Sequence, residues 1–330
     1  MPDILIFDQD RQLRISDIPE PRPAPDEVVY SVNAFALNRA DILFLNDAHY
    51  SVARLPSRIC SEACGVVTAV GADVHGFRVG DRVTSIPFHN TRETDHGVAG
   101  TVAVTPADYL MAWPEALKPT EACAITMQYL TSYYPLVEIA GIGPDDWVLV
   151  TAASSSAGLA AIQLARRQGA GVIAQTRTRD KVAALLAAGA TRAVASDHED
   201  LTEAILDTTS GRGVRVVYDP IAGRFIDRYA EALAYGAMIF QYGVLESPRI
   251  EADLVAMVRR KATIWPHSLF NHVNDPAELA RGKDFLGRAV NDGDLRPVID
   301  TVFPWSRVHE AFDYLHGSAH TGKIVVSVSD

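Results

Sequence analysis

Between residues 146 and 266, short apolar runs alternate with segments that have the hydrophobic period of a helix. The pattern predicts strands separated by helices, which must pair in parallel through right-handed crossovers. The expected fold is therefore α/β, with a doubly wound sheet that has helices on both faces. The six predicted strands are WVLVTA, GVIAQT, RAVAS, VRVVYD, AMIFQYGV and ATIW, and the helical segments are LAAIQLARRQG, KVAALLAAGA, EDLTEAILDTT, FIDRYAEALA and EADLVAMVRR.

One segment, Trp147 to Ala165, contains no charged residue and approaches the roughly 20 residues that a membrane span requires. Its middle, however, is made of small polar residues. The β-rich run WVLVT before them contrasts with the Ala/Leu-rich, helix-favouring run that follows. The segment is therefore predicted to be a strand, a turn and a helix rather than a membrane span.

The two ends of the chain have a different pattern. Residues 1–118 contain short alternating strands such as EVVYSV, GVVTAV, DRVTSI and TVAVTP, which predict a β-rich, barrel-like domain. After residue 270 come two helices, ELARGKDFLGRAV and VHEAFDYLH, and a last strand, KIVVSV, which we expect to complete the first domain. A length of 330 residues favours two domains. The predicted division is 1–121 with 270–330, and 122–269.

Composition limits the partners and the compartment. The net charge of −11 would repel a polyanion, so nucleic acid is not expected as a partner. The three cysteines, Cys60, Cys64 and Cys123, are too few for a disulfide scaffold or a four-cysteine zinc site. Acidic residues stand near the N-terminus where a signal peptide needs a basic region and then an apolar run. We expect a cytoplasmic protein without a targeting signal or a membrane segment.

The turn after the first strand of the parallel sheet is a candidate phosphate-binding site. A strand that ends in small residues and opens into a helix presents unpaired N–H groups and the positive end of the helix dipole to an anion. Only Gly158 is a glycine, but serine hydroxyls can also donate hydrogen bonds. The alternative is an ordinary strand-to-helix turn with a serine N-cap. The residues of this predicted cofactor turn are Ser154, Ser155, Ser156, Ala157 and Gly158.

The tip of the second strand distinguishes the two nicotinamide cofactors. NAD enzymes usually place Asp or Glu there to hold the ribose diol. Here the tip has no carboxylate, and Arg177, Arg179 and Lys181 follow it. These cations are suited to a 2′-phosphate, which predicts NADP(H), with Arg177 as the main contact. The alternative is a solvated basic start of a helix.

With these markers, the chain resembles the zinc-independent medium-chain dehydrogenase/reductases, specifically the quinone oxidoreductase and zeta-crystallin branch. The resemblance implies a GroES-like β-barrel domain, split between the two chain ends, around a central Rossmann domain, with NADPH bound between them. The matching stretches are LNRADI (37–42), LPSRICSEACGVVTAVGADVHGFRVGDRV (55–83), YLTSYYPLVEIAGI (129–142), GRGVRVVYD (211–219) and TGKIVV (321–326).

The resemblance also bears on a catalytic metal. Zinc members of the superfamily hold the metal with a Cys and a His at positions that here read Asn38 and Ser61. No metal site is therefore expected, and alcohol dehydrogenation through a Lewis acid becomes improbable. The loop FHNTRETDHG carries His89, Glu93, Asp95 and His96, which are residue types that bind zinc, but a polar surface loop explains them without further assumptions.

The predicted catalytic residues are Asn38, Asp41 and Tyr50. Asn38 is expected to hydrogen-bond a substrate carbonyl, and Tyr50 resembles an active-site tyrosine of the quinone reductases. The alternatives are that Asn38 caps a turn and that Tyr50 packs at a loop edge. His267 and His272 are interpreted as structural or solvent-facing, although their region is expected to border the nicotinamide. The cofactor site is further expected to include Thr131, Tyr242, Gly243 and Phe270.

The resemblance implies an NADPH-dependent reductase that transfers hydride to a quinone or an α,β-unsaturated carbonyl compound. Two alternatives stay open: a 2-enoyl-thioester reductase of the same superfamily, and a nucleotide-binding protein with an interaction role and no turnover. A homodimer is expected, formed through the last strand of the Rossmann unit near AMIFQYGV.

Overall fold

The computed structural model describes residues 1–49, 54–88, 96–317 and 319–328. The chain divides into two compact units, of which the first is Met1–Met127 with Val273–Asp330 and the second is Gln128–His272. None of the helices in the described ranges has the length and apolar character needed to cross a membrane.

The first unit is built mainly of antiparallel strands around one long strand, β3. Both faces of β3 are largely buried, and Tyr30 and Phe35 are among the largest fully buried side chains. The elements up to residue 122 are β1 (Asp3–Phe7), β2 (Leu13–Asp17), β3 (Glu27–Leu37), α1 (Arg39–Leu45), β4 (Ser57–Arg58), β5 (Glu62–Val70), β6 (Arg82–Ser85), β7 (Val102–Pro106), β8 (Leu110–Ala112) and α2 (Pro119–Ala122).

The second unit alternates strands and helices, as the hydrophobic pattern predicts. Trp147 begins a strand and Ala165 lies in the following helix, which confirms the strand, turn and helix predicted for that segment. The elements are α3 (Thr126–Tyr133), a π-helical stretch (Tyr134–Ile139), β9 (Trp147–Val150), α4 (Ser156–Arg167), β10 (Gly171–Thr176), α5 (Val182–Ala187), β11 (Arg192–Ala195), α6 (Leu201–Thr208), β12 (Val214–Asp219), β13 (Ala222–Gly223), β14 (Leu233–Gln241), β15 (Ser247–Ile250), α7 (Leu254–Arg260), β16 (Thr263–Pro266) and α8 (Phe270–Val273).

Six of these strands form a parallel sheet in the order β11-β10-β9-β12-β14-β16. This order reverses direction between β9 and β12, as in dinucleotide-binding folds. Val148 and Val150 pack into one core with α4, whereas Leu149 packs into a second core with α6. The sheet is covered on both faces, which confirms the predicted doubly wound arrangement.

Two details of the second unit differ from the sequence predictions. The segment FIDRYAEALA is not one α-helix but two 3₁₀ turns, Phe225–Arg228 and Ala230–Ala232. Tyr229 lies between the two turns with a φ of −138°, outside the helical region, and its buried hydroxyl donates a hydrogen bond to Asp219 Oδ2 at 2.7 Å. In addition, residues 237–241 of the predicted strand AMIFQYGV lie in β14, which is second from the edge, and β16 is the edge strand.

The chain returns to the first unit through α9 (Pro276–Asn291), β17 (Ile299–Pro304), α10 (Val308–Gly317) and β18 (Lys323–Ser327). The large sheet of this unit has the order β17-β18-β3-β5-β6-β8, and β7 also pairs with β3. β18 runs antiparallel to β3, with Ile324 opposite Leu37. This pairing brings Lys323, at the start of β18, to the end of β3, where Asn38 follows.

Candidate active site

The predicted cofactor turn, Ser154–Gly158, follows β9 and includes the first residues of α4, a helix of twelve residues. Ser155 is the N-cap, and its Oγ accepts a hydrogen bond from Gly158 N–H at 3.1 Å. The first turn of α4 contains no acidic residue, so no side-chain charge opposes an anion there. The turn lies at the carboxyl end of β9, beside the point where the strand order reverses.

Gly158 and Gln175 fix the shape of this turn. A Cβ atom on Gly158 would lie 2.6 Å from the Cα atom and the carbonyl oxygen of Ala153, so only glycine fits. Gln175 is buried in β10, and its Oε1 accepts a hydrogen bond from Ala152 N–H at 3.0 Å. Its Nε2 donates to Ser196 Oγ at 2.9 Å, which connects the turn to the end of β11.

The predicted 2′-phosphate cluster follows β10 directly. Arg177 and Arg179 are exposed, and Lys181 lies in a short 3₁₀ helix, Arg179–Lys181. A hydrogen bond with Thr178, together with the positive charges of Lys181 and Arg177, lowers the pKa of Asp180. The cluster is therefore a locally basic surface on a chain with a negative net charge.

Tyr242 and Gly243 follow β14. The Tyr242 ring stacks on Tyr218 with a centroid distance of 3.9 Å and an interplanar angle of 14°. Burial, with a smaller contribution from Tyr218, raises the pKa of Tyr242, and the nearby Ser155 hydroxyl partly offsets that rise. A Cβ on Gly243 would lie 2.8 Å from Pro220 Cβ. The structure thus brings Tyr242 next to the predicted cofactor turn.

Thr131, His267 and Phe270 belong to the second unit. His267 Nε2 lies 3.0 Å from the carbonyl oxygen of Thr131. Because a carbonyl only accepts hydrogen bonds, this nitrogen carries the proton. Burial, with a smaller effect of His272, lowers the pKa of His267 to about 3, so the ring is neutral near pH 7. Phe270 begins α8 and is half-buried. The interpretation of His267 as a structural residue agrees with this burial.

In the first unit, Asn38 and Asp41 form the start of α1. Asn38 N–H donates a hydrogen bond to Asp41 Oδ2 at 2.7 Å, and Asp41 N–H donates to the Asn38 carbonyl at 2.8 Å. Asp41 is fully buried. The backbone of Asn38 therefore caps the helix, and the Asp41 carboxylate holds that backbone in place.

The side chain of Asn38 takes part in a separate buried cluster. Lys323 Nζ donates to Asn38 Oδ1 at 2.7 Å and lies 2.8 Å from Glu62 Oε2. Asn38 Nδ2 lies 3.4 Å from the same Glu62 oxygen. The side chains of Lys323 and Glu62 are 1% and 0% exposed, so this is a fully buried ion pair.

Comparisons with known proteins agree with this geometry. An alcohol dehydrogenase GroES-like domain model matches residues 24–115, and a zinc-binding dehydrogenase model matches residues 157–281. A probable quinone oxidoreductase from Schizosaccharomyces pombe is 30% identical over 308 residues, which cover 93% of this chain and 90% of that protein. The chain belongs to the medium-chain dehydrogenase/reductase family, in its quinone oxidoreductase branch. The predicted family and its GroES-like and Rossmann domains are confirmed.

Other members differ in their activities and sizes. The structure of the Escherichia coli quinone oxidoreductase in complex with NADPH matches the present chain with a TM-score of 0.87 and a sequence identity of 25%. The match covers 99% of this chain and 100% of the Escherichia coli chain. CurK enoyl reductase has a TM-score of 0.86 and 26% identity, with 99% of each chain covered. A phenolphthiocerol/phthiocerol polyketide synthase from Mycobacterium tuberculosis is 29% identical over 317 residues. The aligned residues make up 96% of this chain but only 14% of the synthase polypeptide.

The residues at the zinc positions of this quinone oxidoreductase-branch protein do not fit a zinc ion. Asn38 and Ser61 are poor zinc ligands, and Lys323 places an ammonium group within hydrogen-bond distance of Asn38 and Glu62. This ammonium would repel a divalent cation. Across the ranges that the structure describes, no group of three or more His, Cys, Asp or Glu side chains is arranged to hold a metal ion.

Some predicted residues lie outside the described residues: Tyr50 among the catalytic candidates, and His89, Glu93 and Asp95 of the polar loop. His96, the fourth candidate of that loop, lies in the described part of the chain, where its Nε2 is 2.6 Å from Glu27 Oε1. Sequence reasoning missed Gln175 and Lys323. An amide in an otherwise apolar buried strand was the only signal for Gln175, and TGKIVV pointed to the family but not to a role for its lysine.

Proposed function

We propose that this protein is an NADPH-dependent reductase that transfers hydride to a quinone or an α,β-unsaturated carbonyl compound. The observation that supports it best is the gathering of predicted cofactor residues at the carboxyl ends of neighbouring parallel strands. The turn Ser154–Gly158 follows β9, Arg177 follows β10 and Tyr242 follows β14. Dinucleotides bind at this edge of doubly wound sheets. The related Escherichia coli enzyme with bound NADPH supports the same cofactor.

Each part of the cofactor has suitable residues in this proposal. The N-terminus of α4, with Ser154, Ser156 and Ala157, binds the pyrophosphate through N–H groups and hydroxyls. Arg177 binds the 2′-phosphate, supported by Arg179 and Lys181. When bound, NADPH supplies the hydride from nicotinamide C4. The remaining contacts that we propose are Ser155, Gly158, Thr131, Tyr242, Gly243 and Phe270.

On the substrate side, we propose Asn38 as the hydrogen-bond donor to the carbonyl oxygen of the acceptor. A quinone or enone that accepts hydride delocalises negative charge onto that oxygen, and an amide N–H stabilises this charge without a metal. Asp41 acts through the backbone of Asn38, because its Oδ2 accepts a hydrogen bond from the Asn38 N–H. Tyr50 stays a proposed active-site residue, and the proton comes from water or a nearby hydroxyl group.

A second candidate is a 2-enoyl-thioester reductase. The similarity to CurK enoyl reductase and to a short part of a polyketide synthase supports it. Such a substrate carries a phosphopantetheine arm, whose phosphates favour a basic groove, whereas the net charge here is −11. The quinone or enone reductase is therefore preferred.

We also propose that the protein is a homodimer that acts in the cytoplasm. In the described sheet, the edge strand β16 pairs only with β14, so its outer backbone groups are available to a second copy. Leu254 and Val258 of α7 are 73% and 69% exposed, which gives the second unit an apolar surface. The three cysteines are free thiols, which suits a reducing compartment.

One assay tests the proposed activity. Purified protein is mixed with NADPH, and the loss of reduced-nicotinamide absorbance is followed with quinones, enones and enoyl thioesters. Turnover of quinones or enones is the expected result, and turnover of enoyl thioesters alone would favour the second candidate. Tight NADPH binding with no turnover of any acceptor would contradict both and favour a binding protein without activity.

A further inference from the structure

The buried pair Lys323–Glu62 has no evident explanation in stability alone. Taking both charges out of water is costly, and well-packed apolar side chains of similar volume are often as stable or more stable. Glu62 Oε1 is nevertheless held in place by Met127 N–H at 2.8 Å and by Thr126 Oγ1 at 3.2 Å. The carboxylate therefore has a fixed position, and Lys323 and Asn38 are arranged around its other oxygen.

The chemistry of the two charged groups determines how the Asn38 amide is oriented. An ammonium group only donates hydrogen bonds, so Lys323 selects the amide oxygen, Oδ1. A carboxylate only accepts them, so Glu62 selects the amide nitrogen, Nδ2. Both preferences require the same orientation. A rotation of the amide by 180° would place a lone pair against the carboxylate and N–H groups against the ammonium.

We propose that Lys323 and Glu62 are positioning residues for Asn38, which orient its amide so that Nδ2 donates a hydrogen bond to the carbonyl oxygen of the substrate. This inference rests on the proposed function, in which Asn38 contacts the substrate. Nδ2 has two hydrogens, and Glu62 is its only acceptor among the described residues. Asn38 is 8% exposed, so its side chain is almost enclosed but not fully removed from the surface.

The ammonium group also strengthens the proposed donor. Hydrogen bonds in a chain polarise one another, and this effect is larger in a medium of low dielectric constant. Lys323 withdraws electron density from Oδ1 and so makes the Nδ2 hydrogens more positive. The N–H group then interacts more strongly with an oxygen that gains negative charge during hydride transfer than with a neutral carbonyl. The effect is therefore expected mainly on kcat.

Three variants and a control test this role. Lys323→Met/Glu62→Gln removes both charges without leaving one of them buried alone. Asn38→Asp keeps a side-chain oxygen that accepts from Lys323 but removes the amide donor. Lys323→Arg keeps a cationic donor and tests for rescue. Lys283→Met is the control, because Lys283 is a half-buried lysine of the same unit that donates to the Asp108 carbonyl instead.

The expected results separate positioning from stability. Asn38→Asp and Lys323→Met/Glu62→Gln each lower kcat by about tenfold or more, with the NADPH dissociation constant within about twofold of wild type. We call the Lys323→Met/Glu62→Gln double variant the charge-neutral pair. Adding Asn38→Asp to it lowers kcat by less than about twofold further, because both changes remove the same hydrogen bond from the oriented Asn38 amide to the substrate. Lys323→Arg retains most of the activity, and Lys283→Met leaves kcat unchanged.

Full kcat in either Asn38→Asp or the charge-neutral pair would overturn the inference while the proposed function stands. So would losses that multiply in the combined variant. If the wild-type protein reduces no acceptor, the proposed function fails, and nitrogen-15 NMR of the Asn38 side-chain amide decides the inference. Its two hydrogens should give separate signals that exchange slowly with water and that become similar in the charge-neutral pair. Signals that are unchanged in that variant would overturn the inference.

Discussion

The Oγ atom of Ser155 accepts a hydrogen bond from the backbone N–H of Gly158, across the first turn of α4. This bond satisfies one of the N–H groups that a helix start leaves unpaired. The serine that stands in the cofactor turn thus already caps the helix before any anion binds there, and its first effect is on stability.

Ser155→Ala should lower the free energy of unfolding by about 1 kcal/mol, because the Gly158 N–H loses its acceptor. Urea unfolding measures this, and Ser154→Ala serves as the control in the same turn. Saturating NADPH should restore part of the loss, since ligand binding to the folded state stabilises it. Equal stability of the two variants would show that the cap is energetically unimportant.

Arg177→Ala should raise the dissociation constant of NADPH by about 10-fold or more, because a hydrogen bond to a charged group contributes about 1.5–3 kcal/mol. Affinity for NADH, which has no 2′-phosphate, should stay within about twofold. Fluorescence titration with both cofactors gives the comparison. Arg166→Ala, at the opposite end of α4, is the control. An equal loss for NADPH and NADH would refute the assignment of the 2′-phosphate site.

The free energy of unfolding should decrease as the pH is lowered below about 6.5, because His267 is buried in its neutral form. Burial lowers its pKa from 6.5 to about 3, so the unfolded chain takes up a proton near pH 6.5 that the folded chain takes up only near pH 3. The stability present above pH 6.5 is therefore lost progressively as the pH falls towards 3, to the extent of about 5 kcal/mol from this residue.

His267→Gln removes this titration, and its side-chain amide can still donate to the Thr131 carbonyl. The decline of its unfolding free energy between pH 6.5 and 4 should be shallower than that of wild type. The same measurement on His198→Gln, an exposed histidine of the same unit, should follow the wild-type curve. Parallel curves for wild type and His267→Gln would contradict the buried neutral state.

Leu254→Glu should convert the proposed dimer into a monomer, because it places a charge on the exposed apolar surface of α7. Sedimentation velocity at micromolar concentration measures the change. Val79→Glu alters a residue of the first unit that is also well exposed, at 63%, and should leave the dimer intact. A monomeric wild-type protein would reject the proposed interface.

The alternating pattern of strands and helices predicts the parallel sheet well, because burial on both faces requires short but continuous apolar runs. Local patterns fail where a distant partner decides the conformation. Tyr229 lies in a helical pattern, yet it separates two short 3₁₀ turns and its hydroxyl is bound to Asp219. Lys323 and Asn38 are 285 positions apart, so only the pairing of β18 with β3 brings them together. Sequence periodicity gives no information about such contacts.

The split of the first unit has a consequence for synthesis on the ribosome. All six strands of the parallel sheet are complete by residue 266, so this unit can close its core while later residues are still being added. β3 must wait for β18, which pairs along its final residues, Ala34–Leu37. Until then, one edge of the large sheet stays open, and Glu62 lacks the cation that neutralises it. β18, which follows the whole parallel sheet in the chain, therefore both joins β3 in the large sheet and completes the polar cluster around Asn38.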